Sequence, residues 1–224
     1  MSRSPNLPLV MLGAGGHAKV LLALAAAAGR EVQGLCDPFL AADGVASWRG
    51  VPVLGDDTYL DALAPEAVEL VLGMGQMVGQ LHRSRLHHRL KVRGLRFAVL
   101  VHPSAWVAPG ARLHEGVQIM AGAIVQPDCR VGENAIINSR ATIDHDCHIG
   151  SHVHVAPAAT LCGGVVVGEG AFVGSGATII QGLRVGEGAV VGAGVTLVHD
   201  LPPFHRALGA SLRFERVDTH LKTD

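Results

Sequence analysis

An aliphatic residue falls at every sixth position over the second half of this chain. The series runs through Val101, Val107, Leu113, Ile119, Val125, Val131, Ile137, Ile143, Ile149, Val155, Leu161, Val167, Val173, Ile179, Val185 and Val191 to Leu197 without a break. Four residues after each member stands a small or apolar residue, such as Ala123, Cys129, Ala135, Cys147 and Ala159. A period of six matches neither the helical 3.6 nor strict strand alternation. It fits short strands separated by tight turns, and Gly recurs just after the aliphatic position (Gly132, Gly150, Gly168) or three after it (Gly110 through Gly194), where a turn needs a permissive backbone. Three such sides close a triangular coil of eighteen residues, and stacked coils bury the aliphatic columns and satisfy one another's backbone groups. The interior of such a prism is narrow. The composition agrees, with 49% apolar residues but only 4% aromatic ones. Cys129 and Cys147, eighteen residues apart, read as small apolar core filler.

The first hundred residues alternate strands and helices, which argues a small parallel α/β domain of Rossmann-like type. Strands are expected at Leu9–Leu12, Val32–Leu35, Val51–Leu54, Val68–Leu72 and Phe97–Val101. Helices are expected at Ala18–Ala28, closed by Gly29, from Thr58 to Leu63, and over Gln80–Arg93. The last is rich in Arg and His and reads most simply as a solvated face. The organisation expected is therefore an α/β domain over 1–100, a parallel β-helix over 101–202 and a tail over 203–224.

Between the first strand and the first helix lies Gly13-Ala14-Gly15-Gly16-His17, with Asp37 at the end of the next strand. The spacing satisfies a loose dinucleotide fingerprint. A glycine turn lets backbone approach phosphate oxygens, and the amides opening the following helix meet their negative charge. Asp37 is placed to accept hydrogen bonds from a ribose or base, and His17 to bond a phosphate or the sugar. A tight turn with nothing bound is the alternative. A nicotinamide dehydrogenase fits poorly, because the domain lacks a second mononucleotide half.

Residues 138–154 carry Asn138, His145, Asp146, His148, His152 and His154. In the six-residue frame the histidines lie at turns or face outward. No metal site is expected, since straight sides splay the rings apart and no Cys-plus-His spacing matches a zinc motif. A solvated histidine-rich surface is one alternative. The chemical reading takes His145 as a general base with Asp146 as its orienting carboxylate, because a neutral imidazole accepts protons near neutral pH. No Ser or Cys stands beside it as a nucleophile, so direct transfer is expected.

The repeat resembles the left-handed parallel β-helix of the hexapeptide-repeat acyltransferases, and the handedness is what that resemblance implies. Gly13–His17, Asp37, the repeat, Asn138 and the His145–Asp146 pair together resemble one group within it. That group is the sugar O-acyltransferase family, with sialic acid O-acetyltransferases and N-acetyltransferases of nucleotide-linked 4-amino-4,6-dideoxy sugars of bacillosamine and perosamine type. The resemblance implies an acetyl-CoA-dependent homotrimer that N-acetylates a nucleotide-linked amino sugar. His145 would be the base and Asp146, where several members carry Glu, would hold its ring. Asn138 would lie near the acceptor amine and His154 beside the acetyl group, while the glycine turn and Asp37 would hold the nucleotide. Gly163, eighteen after His145, would lie one coil on along the same edge and offer its amide to a thioester oxygen. Ser175 and Ala193, also eighteen apart, fall on another edge, where small residues leave room for the pantetheine arm in a groove between subunits. O-acetylation of a free sugar such as sialic acid, and a non-catalytic nucleotide-sugar-binding scaffold, are the competing readings.

Lys and Arg number 18 against 19 Asp and Glu. Without a basic block a nucleic-acid partner is not expected. The apolar runs are too short to span a bilayer, no signal peptide is evident, and four Cys form no disulfide framework. A soluble, cytoplasmic enzyme is expected.

Overall fold

The computed structural model describes residues 7–76 and 78–210. The N-terminal domain runs β1 (Leu9–Leu12), α1 (Gly16–Ala27), β2 (Val32–Cys36), α2 (Pro38–Ala42), β3 (Ser47–Trp48), β4 (Val51–Gly55), a 3-10 turn (Tyr59–Ala62), β5 (Glu69–Leu72) and α3 (His82–Val92). The sheet order is β3-β4-β2-β1-β5, parallel except for the short β3–β4 pair. From β1 the chain first moves outward to β2 and β4, then returns to the other side of β1 as β5. The switch point, where open α/β sheets bind ligands, thus lies between the carboxyl ends of β1 and β5.

Pro38–Ala42, which carries no assignment in the sequence reading, is a short helix, because Asp37 caps it by accepting from the Phe39 and Leu40 amides at 3.0 and 3.1 Å. Three local expectations are corrected. The segment after Thr58 makes only a 3-10 turn. Of Phe97–Val101 only Leu100–Val101 is a strand, Phe97 bridging to Leu70 instead. α3 is only in part a solvated face: His82, Arg85, His88, Arg89 and Arg93 are exposed, but Arg83 and His87 are buried with Leu86 and Leu90. Those two are covered because the helix packs between its own sheet and the second domain.

The second domain is a left-handed prism of two-residue strands in three parallel sheets. Face 1 carries Leu100–Val101, Gln118–Ile119, Ile136–Ile137, His154–Val155, Phe172–Val173, Val190–Val191 and Arg206–Ala207. Face 2 runs from Trp106–Val107 through Thr142–Ile143 to Thr196–Leu197, and face 3 from Arg112–Leu113 through His148–Ile149 to Arg184–Val185. Partners stand eighteen residues apart, as in Ile136 with His154 and Thr142 with Thr160. Every member of the aliphatic series from Ile119 to Leu197 is buried, as are Cys129 and Cys147. The outward column of face 1 is buried from Leu100 through Gln118 and Ile136 to His154, and Met120 and Ile136 join Leu9, Met11, Ala18 and Leu21 in the core of the N-terminal domain. Residues 211–224, most of the tail, lie outside the described residues. No described helix is long and apolar enough to cross a membrane.

From Gly110 to Gly194 every sixth residue has positive φ, as the corners require. Six successive corners do without Gly there: Asp128, Asn134, Arg140, Asp146, His152 and Ala158. Asn and Asp tolerate this left-handed region, whereas other side chains are strained by about 1–2 kcal/mol. Ala158 is exposed, with φ 58°. Ala158→Gly is therefore expected to stabilise the chain by about 0.5–1 kcal/mol after the extra freedom it gives the unfolded chain, read as a higher denaturant midpoint at unchanged slope.

Candidate active site

His145 and Asp146 occupy the corner between faces 2 and 3. The left-handed turn at Asp146 (φ 60°) folds its carboxylate back, so that Oδ2 lies 2.7 Å from His145 Nδ1. A carboxylate only accepts, so Nδ1 carries the proton and Nε2 keeps a free lone pair. The Asp146 hydrogen bond, with Asp144 beside it, pushes the His145 pKa up from its ordinary value. Both side chains are largely exposed, at 62% and 64%.

One coil on, the Gly164 amide donates to the His145 carbonyl at 2.8 Å, which stacks Gly163 against the imidazole. A methyl on Gly163 would come within 2.6 Å of both Cε1 and Nε2. Among the described residues the Gly163 amide has no acceptor. The edge of the ring that can take a proton thus lies against Gly163, a residue whose own amide is unengaged among the described residues.

His154 and Asn138 lie elsewhere, on face 1 and at its corner with face 2. His154 Nδ1 donates to the Gln76 carbonyl at 3.1 Å, so Nε2 accepts from Asn138 Nδ2, also at 3.1 Å. Asn138 Oδ1 in turn accepts from the Ser139 amide. The His154 ring stands edge-on to Phe172, 5.0 Å between centroids. It faces outward from the prism, as the repeat predicts, yet is only 9% exposed because the loop after β5 covers it. Ser175 and Ala193 are exposed on the same corner as Asn138, in consecutive coils, with the Gly194 amide on the Ser175 carbonyl at 2.9 Å. Within one chain the structure therefore joins His145, Asp146 and Gly163 on one edge. It places Asn138, Ser175 and Ala193 on another, with the width of face 2 between them.

The predicted nucleotide residues do converge. Gly13, Gly15, Gly16, His17 and Asp37 all line one cavity of about 520 Å³ at the switch point, with Phe39, Asp57, Met74, Gly75 and His82. Gly13 (φ 94°) makes the turn, and the loops after β1 and β5 touch: a side chain on Gly73 would come within 2.7 Å of the Gly13 carbonyl. Helix α1 has Gly15 at its cap, no side-chain cap and no acidic residue in its first turn. The amides of Gly15, Gly16 and His17 meet no acceptor among the described residues, which leaves a positive helix end open to an anion. Asp37 is more engaged than expected. Besides capping α2 it accepts from the Ala14 amide at 2.9 Å and so fastens the glycine turn to the neighbouring loop.

Sequence reasoning missed the groups that join the two domains. His17 Nε2 lies 2.8 Å from Gln118 Oε1, and Gln118 Nε2 donates to the Leu72 carbonyl at 3.1 Å. Buried Arg83 donates to the carbonyls of Leu72 and Met74. His87 stacks on Phe97 and meets His152 edge-on, at 4.4 and 5.3 Å between centroids. One signal was available: Gln118, Ile136, His154 and Phe172 form a single outward column at intervals of eighteen, on the face whose register makes it a docking floor. No group of His, Cys, Asp and Glu among the described residues is arranged to hold a metal ion.

Fold and site together define an acyltransferase of the hexapeptide type. Residues 110–145, 128–163 and 146–181 match the bacterial transferase hexapeptide (six repeats) family, and residues 8–90 match the PglD N-terminal domain. Among solved structures, perosamine N-acetyltransferase from Caulobacter crescentus is 40% identical with a TM-score of 0.82, covering 90% of this chain and 93% of that one. It was crystallised as a histidine-to-asparagine mutant with CoA and GDP-perosamine. The acetyltransferase domain of PglB from Neisseria gonorrhoeae is 34% identical, also at TM-score 0.82, covering 89% and 95%. A second structure of that domain contains acetyl coenzyme A. Comparison with curated proteins gives no match. The chain belongs to the family of hexapeptide-repeat sugar acyltransferases with a PglD-type N-terminal domain.

Burial holds the histidines of the domain junction below their ordinary pKa: His17 at about 4, His87 at about 3, with His152 and His154 also lowered. Their folded values lie below the unfolded one, so below about pH 6.5 the unfolded chain binds more protons and stability falls. The melting temperature is expected to drop steadily from pH 6.5 to 4, and His87→Leu to flatten that slope.

Proposed function

We propose that this enzyme transfers the acetyl group of acetyl-CoA to the 4-amino group of a nucleotide-linked amino-dideoxy sugar of perosamine or bacillosamine type. The observation that carries the chemistry is the His145–Asp146 pair lying against Gly163. His145 Nε2 takes the proton from the amine as its nitrogen forms a bond to the thioester carbonyl carbon. Gly163 donates its amide to the negative charge developing on the carbonyl oxygen, in the manner of an oxyanion hole. The imidazolium, stabilised by Asp146, then returns the proton to the departing CoA sulfur as the C–S bond breaks. No covalent acyl-enzyme is needed. Cys129 and Cys147 are buried in the prism, each with its thiol on a backbone carbonyl.

The cavity supports the acceptor. The open amides at the start of α1 suit a pyrophosphate. Exposed Phe39 (81%), after β2, gives a nucleobase a surface to stack on. The sugar then points the other way, past β5 towards face 1. The relatives bound to CoA and GDP-perosamine support this reading.

The base lies on one edge of the prism and Asn138, Ser175 and Ala193 on another, so we assign catalysis to a homotrimer. The His145 edge of one subunit would meet the Asn138, Ser175 and Ala193 edge of its neighbour. That contact would cover a general base that is 62% exposed in the single chain.

His145→Ala is expected to lower kcat by roughly 10²–10⁴-fold, the usual worth of a positioned general base, while nucleotide binding and trimer remain. Unchanged turnover would dismiss the assignment. Since a raised pKa must be crossed before the base is free, kcat/KM in the wild type should fall with acid at a pH above the ordinary histidine value. Asp146→Asn should move that limb to lower pH as well as slowing turnover. Gly163→Ala, whose methyl collides with the ring, should reduce kcat while leaving nucleotide affinity intact.

A further inference from the structure

We propose that His17 binds a hydrogen-bond donor on the sugar of the nucleotide substrate, and that Gln118 of the β-helix positions its ring in the one tautomer able to do so. The inference rests on the nucleotide-sugar reading above and adds to it a specificity residue and the domain that sets it.

The tautomer follows from a chain of fixed donors and acceptors. The Leu72 carbonyl at the end of β5 can only accept. The Gln118 amide must therefore turn its Nε2 towards Leu72, at 3.1 Å. Its Oε1 then faces His17 Nε2 at 2.8 Å and can only accept, so His17 Nε2 carries the hydrogen. Gln118 is 2% exposed and has no room for the opposite arrangement without losing both bonds. His17 Nδ1 is left with a bare lone pair and no partner among the described residues. Burial, reinforced by the nearby Arg83 guanidinium, keeps the ring neutral well below physiological pH.

That lone pair selects its ligand. Phosphate oxygens near neutral pH offer lone pairs of their own, so Nδ1 repels them; a hydroxyl or amine hydrogen suits it. Its place in the cavity agrees. His17 lines the cavity against Gly75 after β5 and is tied to face 1 through Gln118, on the side away from Phe39 and β4. A ligand whose pyrophosphate lies on the α1 amides and whose base lies towards Phe39 presents its sugar there. The phosphate role considered for His17 from sequence is thereby replaced by a sugar role.

The test compares calorimetric titrations of the full-length protein with GDP and GDP-perosamine, and with UDP and a UDP-linked 4-amino sugar. His17→Ala is expected to weaken the sugar nucleotide about tenfold, the worth of one hydrogen bond at a buried acceptor, and to leave the bare nucleotide unchanged. Gln118→Leu should do the same. Nitrogen-15 spectra of the wild-type imidazole should show the Nε2–H form at His17, and Gln118→Leu should abolish that signature. Equal weakening of both ligands, no weakening of either, or an Nδ1–H ring in the wild type would each overturn the proposal. A wild type that binds bare and sugar-linked nucleotides equally well defeats this inference alone. One that binds none of the four defeats the nucleotide-sugar reading as well.

Discussion

Hydrogen bonds between strands eighteen residues apart hold each coil of the prism directly over the last, and the remaining structure inherits its geometry from that stacking. A side chain on one corner meets, besides its immediate neighbours in sequence, the residues eighteen positions before and after it on the same edge. That is how His145 comes to lie against Gly163, and how Gly164 comes to donate to the His145 carbonyl. The same register builds the floor on which the N-terminal domain sits, since Gln118, Ile136, His154 and Phe172 are one column of face 1. A slip of one residue would turn the aliphatic columns outward and scatter both groups.

The corners show where the chain departs from its own rule. A left-handed residue is required every sixth position, and Gly supplies it at both ends of the prism. Between Asp128 and Ala158 the strain is accepted instead, and three of these six positions put side chains to use. Asp146 folds back on His145, and Asn134 Nδ2 lies 2.9 Å from His152 Nδ1 beneath α3. Strained backbone concentrated beside candidate functional groups is a recurring pattern. Arg140 and Ala158 sit in the same conformation, and no side-chain contact in the structure accounts for them.

The domain junction depends on neutral histidines serving as fixed donor–acceptor links. His17 and His154 each have one ring nitrogen engaged through a hydrogen bond whose direction is set by a backbone carbonyl. Arg83, 2% exposed and without a carboxylate partner among the described residues, holds the loop after β5 through two further carbonyls. This loop borders the nucleotide cavity on one side and covers His154 on the other. Protonation of His154 at Nε2 breaks its link to Asn138, whereas His17 takes its proton at the unengaged Nδ1 and keeps its bond to Gln118.

The fold was legible because its signal is one-dimensional. A six-residue period with Gly at fixed offsets admits few backbones, and Gly13–His17 between a strand and a helix admits few turns. The His145–Asp146 pair was legible for the same reason, being local in sequence, and Gly163 followed from counting eighteen. What tertiary structure alone decided is which outward face is covered. Arg83 and His87 of α3 look solvated in sequence, and His154 looks like any outward-facing strand residue, because burial by a second domain leaves no periodic trace. Asp37 likewise reads as a free acceptor until the amides of Ala14, Phe39 and Leu40 are seen to converge on it. Gln118 carries no motif at all. Its role exists only because docking brings a helix start, a strand end and a rung of the prism within hydrogen-bonding reach of one amide group.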